Sequence, residues 1–129
     1  LGLSNAVIHP GVEHDEVPRV IAAADICLVP LKDIPLFRSF IPSKIFELLA
    51  SGKPVVGAVS GEAAIILREA GAVIVEPEQP AALADALHDL ARDPARRERM
   101  GCVGRYYVET HFDRRHLALR YLNLLSSLK

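Results

Sequence analysis

The sequence predicts an α/β fold: a parallel sheet with flanking helices, ending in helices alone. Three observations carry this. Short apolar runs alternate with amphipathic stretches as far as residue 76. Residues 54–58 hold β-branched side chains on both faces, as a strand buried between two helical layers does. After Pro77 the pattern turns wholly helical. Strands alternating with helices over short loops read as a parallel sheet.

Residues 6–8 are a short strand candidate, closed by His9, Pro10 and Gly11. Residues 15–24 read as a helix: Asp15 and Glu16 suit its positive end, Val17, Val20 and Ile21 form an apolar face, and Pro18 falls in the first turn. Residues 26–29 are a second strand. Residues 31–41 read as a loop with unusually apolar content: Leu36, Phe37 and Phe40. Pro42 and Ser43 open a helix with Ile45, Phe46, Leu48 and Leu49, ended by Gly52. Residues 54–58 are the third strand. Ser60, Gly61 and Glu62 read as a turn, residues 63–70 as a helix closed by Gly71, and residues 72–75 as the fourth strand. Leu83, Leu87 and Leu90 mark the next helix, and Pro94 starts another with Met100, Val103 and Tyr107. Asp113 caps the last, along which Leu117, Tyr121, Leu124 and Leu128 align.

The 129 residues read as a single partial domain, alternating over 5–76 and helical over 80–129. The start at Leu1, close to a strand, reads as a cut with natural sequence upstream. Half the residues are apolar, enough for a core without staples. The net charge of −1, the absence of Trp and the small aromatic content argue against nucleic-acid binding. No apolar run reaches the ~18 residues of a membrane span. The near-neutral total hides an asymmetry. Residues 1–91 carry 6 basic and 12 acidic side chains, net −6; residues 92–129 carry 9 and 4, net +5. The tail's charge fits solvated helix faces, or contact with a membrane surface or another domain. Cys27 and Cys102 lack metal or redox spacing and read as reduced, buried thiols.

Ligands of open parallel sheets bind beyond the carboxyl ends of the strands. The most informative segment there is the helix start Pro42-Ser43-Lys44. A hydroxyl, an ammonium and helix N–H groups together suit an anion. Glu47 lies at i+4 from Ser43 and i+3 from Lys44, on the same face. Its carboxylate there can accept two hydrogen bonds from a sugar diol. The plainer alternative is that Ser43 caps the helix and Lys44 pairs with Glu47 on the surface. Arg38 and Lys32 on the preceding loop are either phosphate contacts or solvated charges. His9, His14, His111 and His116 fit polar turn and cap positions, and no Ser-His-Asp or Cys–His arrangement is readable.

The stretch PSKIFELLASGKPVV resembles the donor-site segment of family-four (group 1) glycosyltransferases of the GT-B fold, especially those that build bacterial surface polysaccharides. HPGVEHDEVPRVIAAADICLVPL is similar to their strand–turn–helix–strand unit, GEAAIILREAGAVIVEP to the next helix and strand, and RERMGCVGRYYVETHFDRRHLALRYLNLL to the closing helices. The likeness covers essentially the whole chain, in order. It implies part of the Rossmann-like C-terminal domain of such an enzyme, the half that binds a nucleoside diphosphate sugar, with a UDP- or GDP-sugar as substrate and no cofactor.

By that resemblance Glu47 holds the donor ribose, and Ser43 and Lys44 stand near the diphosphate. Gly11, Val12, Arg38, Ser39, Ile41 and Pro42 are candidate contacts around the donor. Where many members carry a first glutamate, eight positions before Glu47, this chain has Ser39. The basic pair for the diphosphate and the acceptor domain with its catalytic residues are expected upstream of Leu1, so no catalytic residue is assigned. The family's sites are metal-independent, and no D-x-D pair is present. The acceptor is expected to be a saccharide or lipid-linked sugar, in the cytoplasm or peripherally at the inner membrane face. With central strands upstream, residues 6–8 are expected to re-pair with the 26–29 strand, or another copy to cover the open edge. Two other readings are a sugar-nucleotide 2-epimerase half and a non-catalytic α/β interaction domain.

Overall fold

Three short parallel strands organise the computed structural model, which describes residues 2–128. A 3-10 turn, His14–Glu16, leads into α1 (Val17–Ala23) and β1 (Cys27–Pro30). Then follow α2 (Pro35–Arg38), α3 (Lys44–Ala50), β2 (Val55–Ala58), α4 (Gly61–Glu69), β3 (Val73–Val75), α5 (Pro80–Arg92), α6 (Pro94–His111) and α7 (Arg114–Ser127). The sheet order is β1-β2-β3, with Cys27 opposite Val55 and Val56 opposite Val73.

Alternation along β2 divides the core into two layers. Val55 joins Cys27 and Val29 of β1 against Ile45 and Leu49 of α3 and Ala63 and Leu67 of α4. Val56 points the other way and packs with Leu90 and Leu87 of α5 and Met100 of α6. All four residues of β2 are buried, which accounts for its unbroken apolar run.

Several expectations are corrected. Residues 6–8 form no strand and do not re-pair with β1; Ile8 is 97% exposed. Without a neighbouring ladder and a covered face, three extended residues gain too little to order as a strand. The 31–41 segment is not all loop: Pro35, with its pre-set φ, starts the helical turn α2. Helix α4 begins at Gly61, earlier than the turn reading placed it. Ser43 does not cap α3. Its own backbone is already helical, and the first bonds run from Ile45 N–H to the Pro42 carbonyl and from Phe46 N–H to the Ser43 carbonyl.

Cys27 is buried as expected, but Cys102 is exposed. On α6 the buried positions are Met100, Gly101, Gly104 and Val108, and Cys102 lies one residue, about 100°, beyond Gly101 on the side away from them. The last helix departs further. Asp113 caps it, yet α7 has no buried residue, and its aligned Tyr121 and Leu128 are 63% and 75% exposed.

Candidate functional site

Helix α3 presents two faces with different work. Ile45 and Leu49 are buried against the sheet. Ser43, Glu47 and Ser51 repeat every four residues along the outer side and are exposed. The helix stops where Gly52 takes φ +68°, a left-handed conformation that glycine adopts without strain. Among the described residues, Lys44 and Glu47 form no ion pair, so the surface-pair alternative is not what the structure contains.

Helix α6 fixes the surroundings of α3. Its Gly101 lies so close to the Gly52 carbonyl that a Cβ would overlap it, and Gly104 packs on Leu49. At the other end of α3, Phe46 meets Phe112 with ring centroids 4.7 Å apart. Tyr107 sits 5.8 Å from Phe112 and stacks on His111. The Tyr107 hydroxyl donates to Glu69 of α4 at 2.6 Å. Desolvation first, then this bond to Glu69, push the phenol up to about 12. The junction of α6 and α7 is thereby held beside the first turn of α3. Asp113 closes the junction: its carboxylate accepts from the N–H of Arg115 at 2.8 Å and of His116 at 3.2 Å. Those bonds hold its carboxyl below the usual range.

Two depressions flank Glu47. One, of about 320 Å³, lies between α1 and α3; Val17, Pro18 and Ile21 give it an apolar wall, and His14, Glu47, Ser51 and Arg114 its polar groups. The other, of about 240 Å³, is formed by Ser43, Phe46, Glu47, Phe112, Arg114 and Leu117. An exposed carboxylate, a hydroxyl, an imidazole and a guanidinium over apolar walls can hold a ligand with hydroxyl and anionic groups. A third depression, about 320 Å³, opens where β1 and β2 end. Its walls are Pro30, Leu31, Ala58, Pro80 and Leu83, with Lys32, Glu78 and Gln79 beside them. Its mainly apolar lining brings no hydroxyl or histidine side chain together with a carboxylate, so the Glu47 clefts are the better candidate for polar recognition.

The sequence candidates do not all converge. Glu47 lines both flanking depressions and Ser43 one of them, whereas Lys44 is exposed and lines neither. Gly11 and Val12 lie in the exposed segment leading to His14. Arg38 pairs with Asp33 at 3.5 Å, and its carbonyl abuts Gly61, whose φ of +63° and missing side chain permit the approach. Ser39 hydroxyl turns to the Leu36 carbonyl at 3.5 Å. Ile41 is half-buried and Pro42 buried. Arg114 and Phe112 escaped the sequence reading because only the docking of α6 on α3 carries them to Glu47. Among the described residues no group of three or more His, Cys, Asp or Glu is arranged to hold a metal.

Comparison with known proteins matches this architecture. The chain is 30% identical over 118 residues to the GDP-mannose-dependent monoacylated alpha-(1-6)-phosphatidylinositol monomannoside mannosyltransferase of Corynebacterium glutamicum, covering 90% of this chain and 31% of that protein. It superposes on sucrose-phosphate synthase from Thermosynechococcus elongatus with a TM-score of 0.76 at 29% identity, over 91% of this chain and 28% of that one. The fold is also that of Anabaena HepE, solved in complex with UDP-glucose: TM-score 0.81, 23% identity, 98% of this chain and 34% of that one. The chain thus spans about a third of the length of each. A family model described as glycosyl transferases group 1 matches residues 1–93, most of the chain. The order of strands and helices and this match together make the chain a member of the group 1 glycosyl transferase family, whose solved neighbours share its sheet and closing helices.

Proposed function

We propose that this chain is a single partial domain, the donor-binding half of a glycosyltransferase that moves a hexose from a nucleoside diphosphate sugar to a saccharide or lipid-linked acceptor. The observation that carries this reading is the position of Glu47: an exposed carboxylate on α3, in a cleft that His14 also lines, just beyond the loop of Gly11 and Val12. In this reading Glu47 accepts hydrogen bonds from the ribose diol, and Ser43 and Lys44 stand beside the diphosphate. Gly11 and Val12 approach the base or the phosphates, and the segment with Arg38, Ser39, Ile41 and Pro42 borders the donor sugar.

The reaction is a displacement at the anomeric carbon. The acceptor hydroxyl oxygen forms the new C–O bond and gives its proton to a base of the acceptor-binding half, the bond to the diphosphate breaks, and the nucleoside diphosphate departs with the electron pair. Cationic side chains stabilise the charge developing on it. The nucleotide sugar is the substrate, UDP- or GDP-linked, and the reading requires no metal or further cofactor. The named mannosyltransferase relative uses GDP-mannose, and HepE was solved with UDP-glucose, which supports a nucleotide-sugar donor here. The resemblance to polysaccharide-building enzymes supports a role in surface polysaccharide synthesis, in the cytoplasm or at the inner membrane face. Among the described residues no helix is long and apolar enough to cross a membrane.

Calorimetric titration of the chain with UDP and GDP tests the proposal. One of them is expected to bind, and Glu47→Ala to weaken it at least about tenfold, the effect of losing hydrogen bonds to a charged group. Binding of neither nucleotide would reject the donor reading and favour the interaction-domain alternative.

A further inference from the structure

The cation that accompanies Glu47 comes from a distant part of the chain. Lys44, on the same helix, lines neither depression beside Glu47, whereas Arg114 lines both. Arg114 is the first residue of α7, and its place is set by the two residues before it. The Phe112 ring, two residues earlier, packs on Phe46 at 4.7 Å. The Asp113 carboxylate, one residue earlier, accepts from the N–H groups of Arg115 and His116. Among the described residues, neither Arg114 nor Glu47 is engaged in an ion pair. Two opposite charges therefore share two clefts without neutralising each other, and both remain open to a ligand.

The chemistry of each group suggests which part of the ligand it takes. A carboxylate accepts from hydroxyls and repels phosphate. A guanidinium presents paired N–H donors that match two oxygens of one phosphate group. Ser43 lines the same depression as Arg114 and adds a hydroxyl donor.

We propose that Arg114 binds the diphosphate of the nucleotide whose ribose Glu47 holds, so that the start of α7 forms part of the donor site. This rests on the donor reading of Glu47 and adds a residue of the helical tail to it.

The test compares nucleoside diphosphates with nucleosides on the 129-residue chain. UDP, GDP, uridine and guanosine are titrated calorimetrically into wild type, Arg114→Gln, Arg114→Lys and Glu47→Gln. Arg114→Gln is expected to weaken the bound diphosphate tenfold or more and leave its nucleoside unchanged. Arg114→Lys should recover part of the loss, and Glu47→Gln should weaken both ligands. Arg114 is exposed, so unchanged circular dichroism and melting are expected for its variants. Diphosphate affinity that survives Arg114→Gln while Glu47→Gln abolishes it would overturn the inference and keep the donor reading. Equal weakening of nucleoside and diphosphate by Arg114→Gln would also overturn it, since the residue would then act through pocket shape. A wild type that binds none of the four overturns both.

Discussion

Gly101 of α6 meets the Gly52 carbonyl at the end of α3, with no space for a side chain between them. This contact and the Phe46–Phe112 pair, at opposite ends of α3, lock two helices whose residues lie far apart in sequence. Gly101→Ala is therefore expected to destabilise the protein by about 1–3 kcal/mol, the usual cost of forcing extra volume into a packed contact. Urea denaturation measures it. Stability within a few tenths of a kcal/mol of wild type would show that α6 can shift without cost.

Tyr107 and Glu69 tie α6 to α4 through a 2.6 Å bond. The phenol is raised to about 12 from the ordinary 10.0. A raised folded value means that the neutral form is favoured in the native state. Its contribution is fully present below pH 10 and is lost as pH rises through 10 to 12. Alkaline melting curves should show this loss in wild type, and Tyr107→Phe should remove that part of the pH dependence. The substitution also deletes a charge-assisted bond, at a cost of about 1 kcal/mol at neutral pH for a partly exposed pair. Identical alkaline profiles for the two proteins would contradict the assignment.

Asp113 caps a helix that buries nothing, so its effect should be local. Asp113→Ala is expected to speed amide hydrogen exchange over residues 114–117 while α3, α4 and the sheet keep their protection. The carboxyl is held low by the His116 and Arg115 N–H groups. A lowered folded value places the cap's contribution above the ordinary carboxylate range, and it fades as pH falls through the folded value. Protection factors in α7, taken relative to the intrinsic exchange rate at each pH, should thus fall on acidification in wild type and much less in the variant. Unchanged exchange at neutral pH in Asp113→Ala would rule out the cap as what holds the start of α7.

Much of the fold is legible locally. Pro42, Gly52, Pro80, Pro94 and Asp113 punctuate the helices where the structure starts or ends them. The doubly apolar 54–58 run becomes the central strand, buried on both faces. The four-residue spacing of Ser43 and Glu47 places both beside one cleft. These features depend on backbone conformation and on the 3.6 and 2.0 periods, which neighbouring residues set between themselves.

What the sequence by itself determined was therefore the alternation of the three paired strands with α3 and α4, the parallel sheet, the helical end and the face of α3 that carries the carboxylate. The tertiary structure decided the rest. Residues 6–8 have a strand's composition, but a strand exists only with a partner, and β1 pairs only with β2. Cys102 is exposed because Gly101 and Gly104, not it, face α3. Arg114 stands by Glu47 because two glycines and two phenylalanines dock α6 along α3. Such neighbours are chosen by close packing between distant segments, and no local pattern records which segments will meet.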